Sequence, residues 1–262
     1  MIIDAHCHVW PDRIAERALA GRVPGMEAMG DGTVAGVRAS LQRCGIDKTV
    51  VMGIADQARH VDRTNEFIGS IRDATMIPFG TVHPDLSVEE NLASLRAHGI
   101  AGVKLHPLFQ GFRINDPRIY ALLEAFGADV PVIMHVGAGG TPEANLRSNP
   151  TMLAQIVRTF PALRLVACHF GGFRQLNQTE AEVVGLDVFL ETSWPPTLAG
   201  LDPGRVVDII RRHGPGRVIF GSDWPMADPA AEIAVIRGLG FDDDETAAML
   251  GGNLARLLGI AA

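Results

Sequence analysis

The feature that most limits how this chain can fold is a rhythm: a short, apolar, β-branched run, then a longer stretch with helical spacing, repeated along the whole sequence. The runs are Ile2–His8, Thr49–Ala55, Met76–Val82, Ile100–His106, Pro131–Val136, Leu163–His169, Asp187–Ser193 and Arg217–Asp223, eight in all. They are apolar on both faces, as strands buried within a parallel sheet are. The helix candidates between them have readable ends. Ser87 and Glu90 make a capping box before Asn91–His98, with Gly99 as the stop. Asp116-Pro117, Asp202-Pro203 and Asp228-Pro229 each offer an N-cap and a first-turn proline, ahead of Arg118–Phe126, Val206–His213 and Ala230–Leu239. Strand–helix alternation predicts an α/β fold. Eight repeats favour a closed (β/α)8 TIM barrel over an open doubly wound sheet. The open sheet would also call for a glycine-rich phosphate turn after the first strand, where this chain has His8-Val-Trp-Pro. The length of 262 residues suits one barrel, which typically takes about 250. No linker or low-complexity tract interrupts it, so residues 1–262 are expected to form a single domain.

Composition narrows the partners. At 47% hydrophobic and 20% charged residues the chain can build a large core and is not disordered. A net charge of −7 without a basic run argues against nucleic acid. Cys7, Cys44 and Cys168 are scattered and odd in number, which is no disulfide framework and suits a reducing cytoplasm. The N-terminus lacks the charged and apolar segments of a signal peptide, and no apolar stretch nears the roughly 18 residues of a membrane span. The expectation is a soluble, cytoplasmic protein with a small-molecule partner; base rates make a homodimer the default assembly.

Polar groups inside apolar strands are costly unless paired or bound to something. Here they gather at one end of the runs: His6 and His8 close the first, Lys104 and His106 the fourth, His135 the fifth, His169 the sixth and Asp223 the eighth. That is the face on which barrels of this type place their active sites. His6 and His8, two apart, leave a strand on the same side, and Asp4 shares their parity one pleat deeper. Imidazole and carboxylate are good donors for zinc and similar divalent metals. A metal so held lowers the pKa of its water to about 7, and a neighbouring aspartate can relay the proton. A single strand-end histidine is more often a hydrogen-bonded core residue than a ligand, and His-x-His alone does not decide the matter. Five strand ends acquiring such groups independently is much harder to explain structurally. His60, His98 and His213 fall in helix or loop contexts and read as surface residues; His83 reads as a loop cap.

Substrate contacts are expected from the segments after the strands. Phe109, Gln110 and Arg113 follow the fourth, Arg147 the fifth, and Phe173 and Arg174 the sixth, while Trp10, Trp194 and Trp224 follow the first, seventh and eighth. Together with Lys104 and His106 they suggest a partly aromatic pocket with cations to hold a carboxylate.

Asp4-Ala-His-Cys-His8, Gly102-Val-Lys-Leu-His-Pro107, Pro131-Val-Ile-Met-His135, Ala167-Cys-His-Phe-Gly-Gly172 and Gly221-Ser-Asp-Trp-Pro225 resemble the amidohydrolase superfamily. More narrowly they are similar to its amidohydrolase-related branch, which contains aminocarboxymuconate semialdehyde decarboxylase, resorcylate-type decarboxylases and lactone hydrolases. The likeness runs from residue 2 to Asp223, and the segment from Asn253 to Leu258 resembles the branch as well. It implies that His6, His8, His135 and Asp223 hold a divalent metal, with Asp223 also moving a proton. His169 would contact the metal's water in a one-metal site or bind the second metal in a two-metal site. Lys104 lies in a segment similar to the carboxylated strand of some dihydroorotases; a carboxylated Lys104 would bridge two metals, an unmodified one would be a pocket cation. Zinc is the first expectation, with manganese or iron as alternatives, and one or two ions per chain. The first functional reading is hydrolysis of a lactone, amide or ester C–O or C–N bond. The second is non-oxidative decarboxylation of a small unsaturated or aromatic acid. The third, from another class, is a non-catalytic binding protein that keeps the metal site.

Overall fold

The structure is a computed structural model and describes residues 1–20 and 27–261. Its strands are β1 (Ile3–His8), β2 (Lys48–Met52), β3 (Met76–Gly80), β4 (Gly102–Leu105), β5 (Val132–Met134), β6 (Leu165–Ala167), β7 (Phe189–Glu191) and β8 (Val218–Ile219). They form one eight-stranded sheet in chain order, β1 to β8, with helices between. The pairs from β3–β4 through β6–β7 are parallel. An open doubly wound sheet would reverse its order partway; this one does not, and the fold is the (β/α)8 barrel that the rhythm predicts. By internal packing the chain divides into two compact units: Met1–Val51, Asp73–Ile77 and Glu191–Ala262 make the first, Met52–Arg72 and Pro78–Leu190 the second.

In the first unit every residue of β1 is buried. The Ala5 N–H donates to the Phe220 carbonyl at 3.0 Å and the His8 N–H to the Trp224 carbonyl at 2.7 Å, so the chain around β8 is tied to β1 along its length. The two-residue β8 is held from behind. The Asn253 side-chain amide donates to the carbonyls of Pro215 (2.8 Å) and Val218 (2.7 Å), and the Phe220 N–H donates to Met249 O (2.9 Å). Asp202 and Asp228 cap helices Pro203–His213 and Pro229–Arg237, each with proline in its first turn, as their spacing predicts. His213 departs from its surface reading. It ends Pro203–His213 on the face that carries Val206, Ile209 and Ile210, and is wholly buried.

In the second unit the Ser87–Glu90 capping box opens helix Val88–Ala97, and Asp116 caps Pro117–Phe126. His83 accepts a hydrogen bond from the Asp85 N–H on Nδ1 at 3.2 Å, the loop cap its sequence suggests. His60 and His98 are half-buried and pair with Asp56 and Asp62. Among the described residues no helix is long and apolar enough to cross a membrane, and all three cysteines are free.

Candidate active site

Within the first unit β1 projects His6 and His8 from the same face, and the chain beyond β8 brings Asp223 to them. The His6 and His8 Nε2 atoms are 3.1 Å apart, and Asp223 Oδ1 lies 3.2 Å from the first and 3.3 Å from the second. All three side chains are buried, and their ligand atoms form a compact group able to hold a metal ion. Donors at about 2.0–2.2 Å on a tetrahedral cation lie about 3.3–3.6 Å from one another, close to these separations.

The tautomer adds to the case. His6 Nδ1 lies 3.2 Å from Glu191 Oε2. An ionised carboxylate only accepts, so Nδ1 carries the proton and Nε2 is the nitrogen turned to the group. That nitrogen faces the Asp223 carboxylate at 3.2 Å, a contact that a proton on Nε2 or a shared metal cation satisfies equally. By their chemistry and spacing the donors fit a divalent cation.

Asp223 reaches the group because its backbone is left-handed, at φ 62°. Asp4 fixes the turn before it: its carboxylate accepts the Ser222 N–H (3.0 Å), the Ser222 hydroxyl (2.5 Å) and the His6 N–H (2.9 Å). The Trp224 N–H in turn donates to Ser222 Oγ at 3.0 Å. Burial pushes the Asp4 carboxyl up to about 6 against the pull of these bonds, and burial followed by the charge of Asp4 raises the Cys7 thiol. Trp10 stacks on His8 at 6.0 Å and is half-buried, as is Trp194; Trp224 is buried with its ring against Gly30.

Within the second unit the ends of β4, β5 and β6 carry a different set. Lys104 is fully buried, and its amine donates to Cys168 Sγ at 3.1 Å. His135 Nδ1 and His169 Nε2 are 3.0 Å apart. His106 stacks between His135 (4.2 Å between ring centres, 12° between planes) and Phe109 (4.0 Å, 27°), and Phe109 is 38% exposed. His169 contacts the Phe173 ring, over which the exposed Arg174 guanidinium lies at 5.2 Å. His169, Phe170 and Arg174 all take left-handed backbone angles, at φ 58°, 53° and 59°. Such residues cluster where a turn must aim side chains that glycine lacks.

Three loop candidates bind their own chain. The Gln110 amide nitrogen donates to Ala55 O (3.1 Å), Val82 O (2.9 Å) and Thr81 Oγ1 (3.1 Å), while its oxygen accepts the His106 N–H (2.8 Å), so it pins the backbone under His106. Arg147 donates to Leu108 O at 2.8 Å, and the exposed Arg113 to Asn115 Oδ1 at 3.3 Å.

The sequence reading passed over Glu191, Ser193 and Ser222. The signal for Glu191 was present, since it is a carboxylate inside the seventh buried run, the same anomaly that singled out the histidines.

The family model described as Amidohydrolase matches residues 3–260. No curated protein matches the chain. Solved structures do, at low identity. An uncharacterized TIM-barrel protein from Bordetella bronchiseptica is 17% identical with a TM-score of 0.75, over 99% of this chain and 98% of that one. The 5-carboxyvanillate decarboxylase of Sphingomonas paucimobilis is 15% identical with a TM-score of 0.73, over 99% of each chain. A probable 2-pyrone-4,6-dicarboxylic acid hydrolase from Acinetobacter baumannii is 18% identical with a TM-score of 0.68, over 98% of this chain and 99% of that one. At such identities the likeness establishes the fold.

Proposed function

The chain belongs to the amidohydrolase family, a family of metal-dependent enzymes, and from that premise we propose that it hydrolyses a C–O or C–N bond, in a lactone, amide or ester, of a small substrate that bears a carboxylate. The observation that carries the reading is the His6, His8 and Asp223 donor group. These three would hold the cation. Zinc suits this nitrogen-and-oxygen set best. A divalent cation in such a site supplies an acidified water at neutral pH.

The chain's own residues do the rest. Asp223 Oδ takes the proton from the attacking water and returns it to the leaving oxygen or nitrogen. His169 orients that water. The buried Lys104 amine would hold the substrate carboxylate, and the His106 and Phe109 rings offer a flat apolar wall. Lys104 in this reading is unmodified, and a single metal suffices. The proposed setting is the cytoplasm, with three free cysteines in keeping, and the proposed assembly a homodimer.

Decarboxylation is the second reading, favoured by the structural likeness to 5-carboxyvanillate decarboxylase. The same Asp223 would then protonate the carbon that loses carboxylate. Metal-loaded protein incubated with lactone dicarboxylates and with hydroxylated aromatic acids separates the two. Release of acid from the lactones without carbon dioxide is the expected result; carbon dioxide from the aromatic acids, with the lactones intact, would replace the first reading by the second.

A further inference from the structure

We infer that Glu191 is the positioning residue of the metal site: it fixes the tautomer and the aim of His6 and raises the basicity of its Nε2. Three independent features of the first unit converge on its carboxylate. The first is the contact itself, Glu191 Oε2 at 3.2 Å from His6 Nδ1, with both side chains essentially inaccessible to solvent. The second is a clamp. Ser193, two residues on, donates its backbone N–H to Oε1 at 2.5 Å and its hydroxyl to Oε2 at 2.8 Å, so the carboxylate is held at both oxygens. The third is a space kept open for it. A Cβ at Gly221 would lie 2.3 Å from Glu191 Oε1 and 2.7 Å from its carboxyl carbon, so only glycine at 221 lets the carboxylate lie where it does. Gly221 stands two residues before Asp223, and the chain that delivers the aspartate ligand therefore also makes room for the carboxylate behind the histidine ligand.

A buried carboxylate is costly unless its charge is satisfied. Glu191 receives two hydrogen bonds from Ser193 and a third from His6, and that third has no structural need to come from an imidazole. Its consequence is chemical. With the Nδ1 proton drawn toward an anion, the ring carries more electron density at Nε2, the atom that faces His8 and Asp223. Partners of this kind behind a metal-bound histidine typically account for 10–100-fold in metal affinity. The inference rests on the proposed metal-holding role of His6, His8 and Asp223, but its test reads metal binding and not turnover, so the two can fail separately.

The test is a chelator competition for zinc on wild type, Glu191→Gln and Ser193→Ala, with circular dichroism as the check on folding. Glu191→Gln keeps the shape and an acceptor for the His6 N–H but removes the charge. It is expected to bind one zinc about 10–100-fold more weakly. Ser193→Ala removes the hydroxyl bond to Glu191 Oε2 and the 3.4 Å contact of Ser193 Oγ with His6 Nδ1, but keeps the charge and the backbone bond to Oε1. It is expected to fall between wild type and Glu191→Gln. Nitrogen-15 spectra of the histidine rings should show the His6 Nδ1 proton, shifted far downfield in wild type, move upfield in Glu191→Gln, which a merely structural role would not cause. Unchanged zinc affinity in folded Glu191→Gln would overturn the inference. Complete loss of zinc from that variant while it stays folded would also overturn it, since Glu191 would then be a ligand. Should Glu191→Gln fail to fold, unchanged affinity in Ser193→Ala overturns it alone. Wild type that binds no zinc would refute the metal-site reading itself.

Discussion

The strand ends of the two units are built for opposite charges. Those of β1, β7 and β8 carry three buried carboxylates, Asp4, Glu191 and Asp223, around two imidazoles. Those of β4, β5 and β6 carry an amine, three imidazoles and a thiol, with aromatic rings stacked beside them. In the first set hydrogen bonds from backbone and hydroxyl groups lock anions in place, and histidine Nε2 atoms are turned inward. In the second, the rings of His135, His106 and Phe109 stack in turn, and the Lys104 amine donates to the Cys168 thiol. The first set has the donors of a cation site, and the second offers rings and an amine to the proposed substrate.

That contrast breaks most readily at its cation side. Wild type reconstituted with zinc is expected to hold about one equivalent by elemental analysis, and His8→Ala close to none, with activity lost in parallel. Substoichiometric metal in reconstituted wild type would remove the cation from the comparison. Asp223→Asn comes next. Asparagine tolerates the left-handed backbone that this position requires, so the variant should fold while turnover falls by about 10²–10⁴-fold, the usual share of a proton-transfer group. His169→Asn, at a left-handed position too, should lose rate and keep its metal if His169 serves the water. Retained activity in the first, or metal loss in the second, would reassign those side chains.

On the anion side, Lys104→Met removes the charge and nearly keeps the volume. KM for a carboxylate substrate should rise roughly 10–100-fold, the worth of one charged hydrogen bond, with metal content constant. Loss of metal from this variant would mean that Lys104 serves the metal, as a carboxylated lysine would. The smallest effect is expected at Gln110→Leu, which strands the Ala55 and Val82 carbonyls and the His106 N–H. About 1–3 kcal/mol of stability should go, read as a melting temperature lowered by several degrees, with zinc affinity untouched.

Much of this was legible in the chain. The rhythm of apolar runs predicts all eight strands, and the Asp-Pro and Ser-x-x-Glu signals predict four of the helices between them, because both are local. Val34–Cys44, Val61–Ser70 and Pro150–Thr159 start on other residues. The parity of His6 and His8 likewise needs only a strand. What the sequence exaggerated is strand length: Arg217–Asp223 reads as one run, but only Val218–Ile219 is strand, since the chain beyond turns to deliver Asp223. What it hid are partnerships set by long-range packing. Glu191 finds His6 across 185 residues, and Gln110 finds the ends of β2 and β3 in place of a substrate. His213 reads as a surface residue because a helix face cannot be assigned a depth from one helix alone.

The left-handed residues that aim the site have a consequence for how such a chain changes over generations. At His169 and Asp223 a side chain is kept where the backbone would be relaxed by glycine, at a cost of order 1–2 kcal/mol each. Selection for stability alone pulls these positions toward glycine or asparagine, and only use of the side chains opposes it. A copy of this protein released from its chemical task should therefore decay first at residues 169 and 223, and gain thermal stability as it does so. The order of loss along a lineage would be a record of when the activity ceased to matter.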